Sequence, residues 1–172
     1  MLAESISGLH LVTHDVYRDH RGSFRRTWDA ADYGVLGEEL RPAQISVSHN
    51  SGSGTLRGMH YLDISVGEFK NVTCVKGQVQ DVVVDMRQDS PTFSQYMSFD
   101  LSELNNATLT IPPGCAHGFQ LLSEEATLIY AMPVSYESNM ERGVRFDDPK
   151  LAIDWLLAPE NISQKDLNWP LL

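Results

Sequence analysis

The stretch Val79 to Arg87, VQDVVVDMR, decides how this chain folds. Side chains two apart on a strand point to the same side. Val79, Asp81, Val83, Asp85 and Arg87 therefore share one face, and Gln80, Val82, Val84 and Met86 share the other. One face mixes carboxylates with valines, and buried carboxylates need partners because an unpaired buried charge is costly. Working outward, FKNVTCVK places Lys70, Val72, Cys74 and Lys76 on one face, and LRGMHYL places His60 beside Leu62. A barrel with a wet, charged interior satisfies all three strands. The alternative is a two-layer sheet whose charges face solvent.

The rest of the chain repeats the pattern. GLHLVTHDVY, QISVSH, TFSQYMSFDL, ATLTIP, GFQLLS and ATLIYAM are short, rich in branched or aromatic residues, and bounded by turn formers. Helix is expected only weakly over Trp28 to Leu40 and again after Pro159. The reading is all-β: a single jelly-roll domain over residues 1–172 with short peripheral helices. Gly52, Gly54 and Gly58 precede a strand rather than a helix, so they form a loop and not a dinucleotide site.

Composition narrows the function. At 172 residues, 42% hydrophobic and 21% charged, the chain can bury a sizeable core. A formal charge of −10 argues against nucleic acid or an anionic membrane as partner, so an anionic ligand must meet a local basic cluster. The segment MLAESISGLH lacks signal-peptide character and no run approaches a membrane span, so a cytoplasmic protein is expected. Cys74 and Cys115 read as buried small side chains.

Metal binding is the first chemistry to weigh. PPGCAH carries Pro112, Gly114 and His117 at the P-x-G-x-x-H spacing of metal-binding β-barrels. The complementary H-x-H motif fails, because Leu62 stands two residues after His60 and Glu68 lies too far along. One or two ligands do not make a catalytic metal site, so no metal is expected.

DHRGSFRR, QISVSH, LRGMHY, FKNVTCVKGQVQDVVVDMRQDSPTF, IPPGCAHGF, ATLIY, ERGVRFDDPKLAIDW and ISQKD occur in this order across nearly the whole chain. In order and spacing they resemble the dTDP-4-dehydrorhamnose 3,5-epimerase family. The resemblance implies a double-stranded β-helix of the cupin type, a homodimer with strand exchange, and no cofactor. It also implies epimerisation of a nucleotide-linked 4-keto-6-deoxy sugar, foremost dTDP-4-dehydro-6-deoxyglucose to dTDP-4-dehydrorhamnose.

Inverting a carbon beside a ketone requires a base, a donor for the enolate oxygen, and an acid on the opposite face. By resemblance, His60 is the base, Asp166 orients it, Lys70 meets the keto oxygen and Tyr130 returns the proton. Arg57 and Arg21 would bind the diphosphate, with Arg21 reaching a neighbouring site across the dimer. Phe24 and Tyr136 would stack on the base, Gln44 and Ser46 occupy recognition positions, and Asp81 with His117 forms a supporting polar pair. Departures from the family pattern at Tyr61, Leu62, Ser46, Arg25 and Arg26 bear on which nucleotide and sugar are taken. A mono-epimerase acting on a CDP-, GDP- or dTDP-linked sugar, a metal-dependent cupin and a non-catalytic sugar-nucleotide binder are the alternatives.

Overall fold

The computed structural model describes residues 5–31 and 41–172. The helix expected over Trp28 to Leu40 falls largely outside them. Every strand expected from alternation is present, and all pair antiparallel. In chain order they are β1 (His10–Thr13), β2 (Val16–Asp19), β3 (Gly22–Arg25), β4 (Gln44–Ser51), β5 (Leu56–Leu62) and β6 (Lys70–Lys76). There follow β7 (Gln78–Asp85), β8 (Tyr96–Ser102), β9 (Ala107–Ile111), β10 (Cys115–Leu121), β11 (Glu125–Met132) and β12 (Glu141–Gly143). One sheet runs β1-β9-β6-β11-β4 and the other β12-β5-β10-β7-β8, while β2 and β3 form a separate hairpin. The architecture is a cupin-type jelly roll. The helices that lie wholly within the described residues are peripheral and short: Gln164–Leu167 near the carboxyl terminus, with 3₁₀ turns at Ile64–Val66 and Ser138–Met140. Among the described residues no helix is long and apolar enough to cross a membrane.

The two faces of β7 go to two different cores. Val79 and Val83 point between the sheets, against Val72, Leu109 and Leu128 from the opposite layer. Val82 and Val84 point outward, where Val144, Leu151 and the partly buried Trp155 cover them. A sheet buried on both faces explains the unbroken valine run. The solvent-facing alternative fails for β7, where Asp81 and Asp85 are both fully buried, and holds only for Lys76 at the end of β6, which is exposed and pairs with Glu125. Asp85 is matched at once: its carboxylate accepts from Arg87 Nε and Nη2, Ser90 Oγ and Thr92 Oγ1 at 2.6–2.8 Å.

Two buried glutamines dock the carboxyl-terminal segment on the outer face. Gln80 donates to Asp154 O and accepts from Leu156 N, and Gln120 donates to and accepts from the Leu157 backbone, all at 2.8–2.9 Å. The chain then bridges Thr55 at Glu160 and enters the short helix, whose Ser163 cap accepts from the Asp166 amide at 3.1 Å. This path carries Asp166 from the end of the sequence to the middle of β5.

Candidate active site

Between the open ends of the sheets lies a cavity of about 610 Å³. The sheet containing β5 and β10 supplies Arg57, His60, His117 and Phe119; the facing sheet supplies Ser46, Ser48, Lys70 and Tyr130. Tyr136, Glu141 and Glu68 complete the rim and wall.

Arg57 and His60 are three residues apart, so an unbroken strand would send them to opposite faces. The register shows why both reach the cavity. His117 lies opposite His60 and Phe119 opposite Arg57, so β5 spends three steps where β10 spends two. This bulge returns Arg57 to the side of His60. It is built on Gly58, at φ +132°, where an added Cβ would stand 2.5 Å from Gly118 Cα and 2.9 Å from His117 O.

His60 Nε2 lies 2.6 Å from Asp166 Oδ1, and Asp166 Oδ2 accepts from the Gly58 amide at 3.3 Å. Burial opposes the charge on Asp166, but the hydrogen bond and charge of His60, with the Gly58 and Ser163 contacts, hold its carboxyl below the usual range. Asp166 is therefore an anion, able to orient the imidazole and stabilise its protonated form. Trp169 packs over Gly143 and presents its ring edge-on to His60, with centroids 6.1 Å apart.

Lys70 Nζ donates to the His60 carbonyl at 3.1 Å and lies 3.4 Å from Glu68 Oε2. Deeper, His117 Nε2 lies 2.9–3.0 Å from both oxygens of the buried Asp81, and its ring meets Tyr130 edge-on at 6.0 Å. Burial, with the nearby charge of Asp81, raises Tyr130 far above an ordinary phenol and keeps it protonated. Arg57 Nη1 donates to Ser48 Oγ and Asn50 Oδ1 at 3.2 and 3.0 Å, which fixes its fork at the cavity wall. At the rim the Tyr136 hydroxyl donates to Glu141 Oε2 at 2.8 Å, and both Glu141 oxygens take Lys165 Nζ at 2.6 Å.

The sequence profile described as dTDP-4-dehydrorhamnose 3,5-epimerase matches residues 3–172. The chain belongs to the dTDP-4-dehydrorhamnose 3,5-epimerase family. It is thus an isomerase of the carbohydrate-epimerase class. A dTDP-4-dehydrorhamnose 3-epimerase of Streptomyces niveus is 37% identical over 168 residues, covering 97% of this chain and 81% of that one. A dTDP-4-dehydrorhamnose 3,5-epimerase of Methanothermobacter thermautotrophicus is 36% identical over 168 residues, covering 96% and 90%. Among solved structures, a dTDP-6-deoxy-D-glucose-3,5-epimerase of Legionella pneumophila in complex with dTDP-4-keto-L-rhamnose superimposes with a TM-score of 0.91. It is 37% identical, with 98% of this chain and 89% of that one covered.

Within this family member, His60, Asp166, Lys70, Tyr130, Arg57, Ser46, Tyr136, His117 and Asp81 converge on or directly behind one cavity. Gln44 stands one step back: its Oε1 accepts from the Tyr136 amide at 2.9 Å and anchors the rim. Arg21 and Phe24 are not brought into their own chain's cavity. They sit on the exposed β2–β3 hairpin, where Arg21 pairs with Asp19 at 2.6 Å and Phe24 is 67% exposed.

Sequence reasoning missed Glu68, Glu141 and Lys165. Lys165 was visible inside SQKD and Glu141 at the head of ERGVRF, but their partnership spans two distant segments. Glu68 stands out in the sequence only as an acid too far from His60 for metal spacing. Among the described residues no group of three or more His, Cys, Asp or Glu side chains is arranged to hold a metal ion.

Proposed function

We propose that the protein epimerises a nucleotide-diphospho-4-keto-6-deoxyhexose, foremost dTDP-4-dehydro-6-deoxyglucose. The observation that carries this reading is the pairing of His60 with Asp166 at 2.6 Å on one wall of the cavity, with Lys70 and Tyr130 on the wall facing it. A sugar lying between the sheets meets a base from one side and an acid from the other.

With Nε2 engaged by Asp166, His60 Nδ1 takes the proton from the carbon beside the ketone. Lys70 stabilises the oxygen of the resulting enolate, and Asp166 stabilises the imidazolium. Tyr130 returns a proton to the opposite face, and solvent protons exchange through the two groups. His117 and Asp81 brace Tyr130 from behind. Leu62, Phe119 and Met132 give the cavity an apolar wall suited to a carbon that has lost its hydroxyl.

Arg57 takes the diphosphate and Tyr136 stacks on the base. Arg21 and Phe24 serve the cavity of a second subunit, in a homodimer. Support for that assembly comes from Tyr17 and Phe24 exposed on the hairpin and from Ile45 and Val47 exposed on β4, an edge strand among the described residues. Each chain acts as one domain, in the cytoplasm.

The test is proton NMR of dTDP-4-keto-6-deoxyglucose with the protein in deuterium oxide. Deuterium entering carbons 3 and 5 with inversion at both establishes a double epimerase, and entry with inversion at one carbon a mono-epimerase, as the names of the two relatives differ. No uptake with this sugar or its CDP- and GDP-linked counterparts would overturn the reading.

A further inference from the structure

Glu68 is a buried acidic side chain on the cavity wall that the mechanism above leaves without a task, whereas Glu141 at the rim is already engaged by Tyr136 and Lys165. Its side chain is only 6% exposed, yet it lines the cavity beside Lys70. An ammonium has three donors. One of those of Lys70 goes to the His60 carbonyl, a second faces Glu68 Oε2, and the third is left for the cavity. A carboxylate, by contrast, only accepts. Glu68 thus presents an acceptor immediately beside the donor assigned to the ketone oxygen.

We propose that Lys70 and Glu68 together read an α-hydroxy ketone, Lys70 taking the ketone oxygen and Glu68 accepting from the hydroxyl on the neighbouring carbon. The 3.4 Å between Lys70 Nζ and Glu68 Oε2 is of the same order as the separation of two oxygens on adjacent ring carbons. A ketone oxygen has no proton to donate, and a hydroxyl does, so the pair fixes which oxygen goes where. In a 4-keto hexose carbon 5 carries the ring oxygen, so the only hydroxyl beside the ketone is at carbon 3. Glu68 is therefore a specificity residue. It makes the site demand an unsubstituted 3-hydroxyl and holds the sugar by carbon 3, across the ketone carbon from carbon 5. This inference rests on the 4-keto sugar reading above.

The experiment compares the wild-type protein with Glu68→Gln, nearly isosteric, and Glu68→Leu, which removes the acceptor. Substrates are dTDP-4-keto-6-deoxyglucose and its 3-deoxy counterpart, read by deuterium uptake at carbon 5, which both can undergo, and by calorimetric binding. The wild-type protein should prefer the hydroxylated sugar roughly 10- to 100-fold, because the buried carboxylate loses the hydroxyl donor and keeps only Lys70 beside it. The preference should fall to within about threefold for Glu68→Leu, with Glu68→Gln between. An equal preference in all three proteins overturns the proposal. So does a uniform loss on both sugars, since Glu68 would then act only through Lys70. Absence of deuterium uptake with the binding preference intact would sink the epimerase reading and leave this one standing.

Discussion

At the residue scale, the division of labour proposed for His60 and Tyr130 has separable consequences. Replacing His60 by Ala removes the proposed base, and both epimerisation and deuterium uptake should fall by about 10³-fold or more. Asp166→Asn keeps the shape but removes the charge opposite the imidazolium, so kcat should drop roughly 10²- to 10³-fold while KM changes little. Tyr130→Phe should behave differently. The base still works, so solvent exchange continues with retention of configuration, while net inversion slows about 10²-fold. Equal loss of exchange and inversion in Tyr130→Phe would remove Tyr130 as the acid. Burial raises the Cys74 thiol to about 11 and the Cys115 thiol to about 12, so neither is a nucleophile at neutral pH.

At the element scale, the bulge in β5 and the turn after β7 are where local chemistry sets geometry. Gly58→Ala pushes a methyl group into the β10 backbone at a φ that side chains rarely adopt, and should cost about 3 kcal/mol or more in urea unfolding. The turn after β7 is organised by one carboxylate. Asp85 is desolvated, but its hydrogen bonds from Arg87, Ser90 and Thr92 outweigh that and hold it well below the usual carboxylate range. Because the folded-state value lies below the unfolded one, this contribution is complete above about pH 4 and disappears as the pH falls below it. Asp85→Asn should lower stability at pH 7 by roughly 3 kcal/mol and flatten the acid limb of the stability curve. An unchanged acid limb would show that other carboxylates govern it.

At the scale of the whole molecule, the exposed hairpin bears on assembly. Arg21 and Phe24 lie outside their own cavity, so Arg21→Ala and Phe24→Ser should leave the fold of each chain, read by circular dichroism, unchanged. If the two residues complete a partner's site, both variants should raise KM about tenfold or more, with kcat nearly preserved. Light scattering should give twice the 19.3 kDa chain mass. A monomer with unaltered KM in both variants would refute the shared site. The carboxyl-terminal segment makes a second claim at this scale. Gln120→Leu removes both hydrogen bonds to Leu157 and loosens the strap that delivers Asp166. Activity should fall more steeply with temperature than global unfolding does, as comparison of rates with circular dichroism would show.

Period-two alternation was enough to read the strands, because each strand's side chains answer to a local rule. VQDVVVDMR announced two faces, and the buried pairing of Asp81 with His117 is what its charges required. The candidate site residues came from ordered motifs that resemble the family, and the structure brings His60, Asp166, Lys70 and Tyr130 together at one cavity. The sequence by itself therefore determined the strand pattern, the need for partners inside the barrel, and the candidate chemistry. Only the tertiary structure decided which groups meet. Arg57 joins His60 because β5 takes one residue more than β10. Asp166 reaches His60 across 106 positions because two buried glutamines and a capped helix route the chain there. Glu68 and the Glu141–Lys165 pair acquire their meaning the same way. Register and long-range docking depend on packing and on satisfying buried polar groups throughout the fold, and no local window of sequence contains that information.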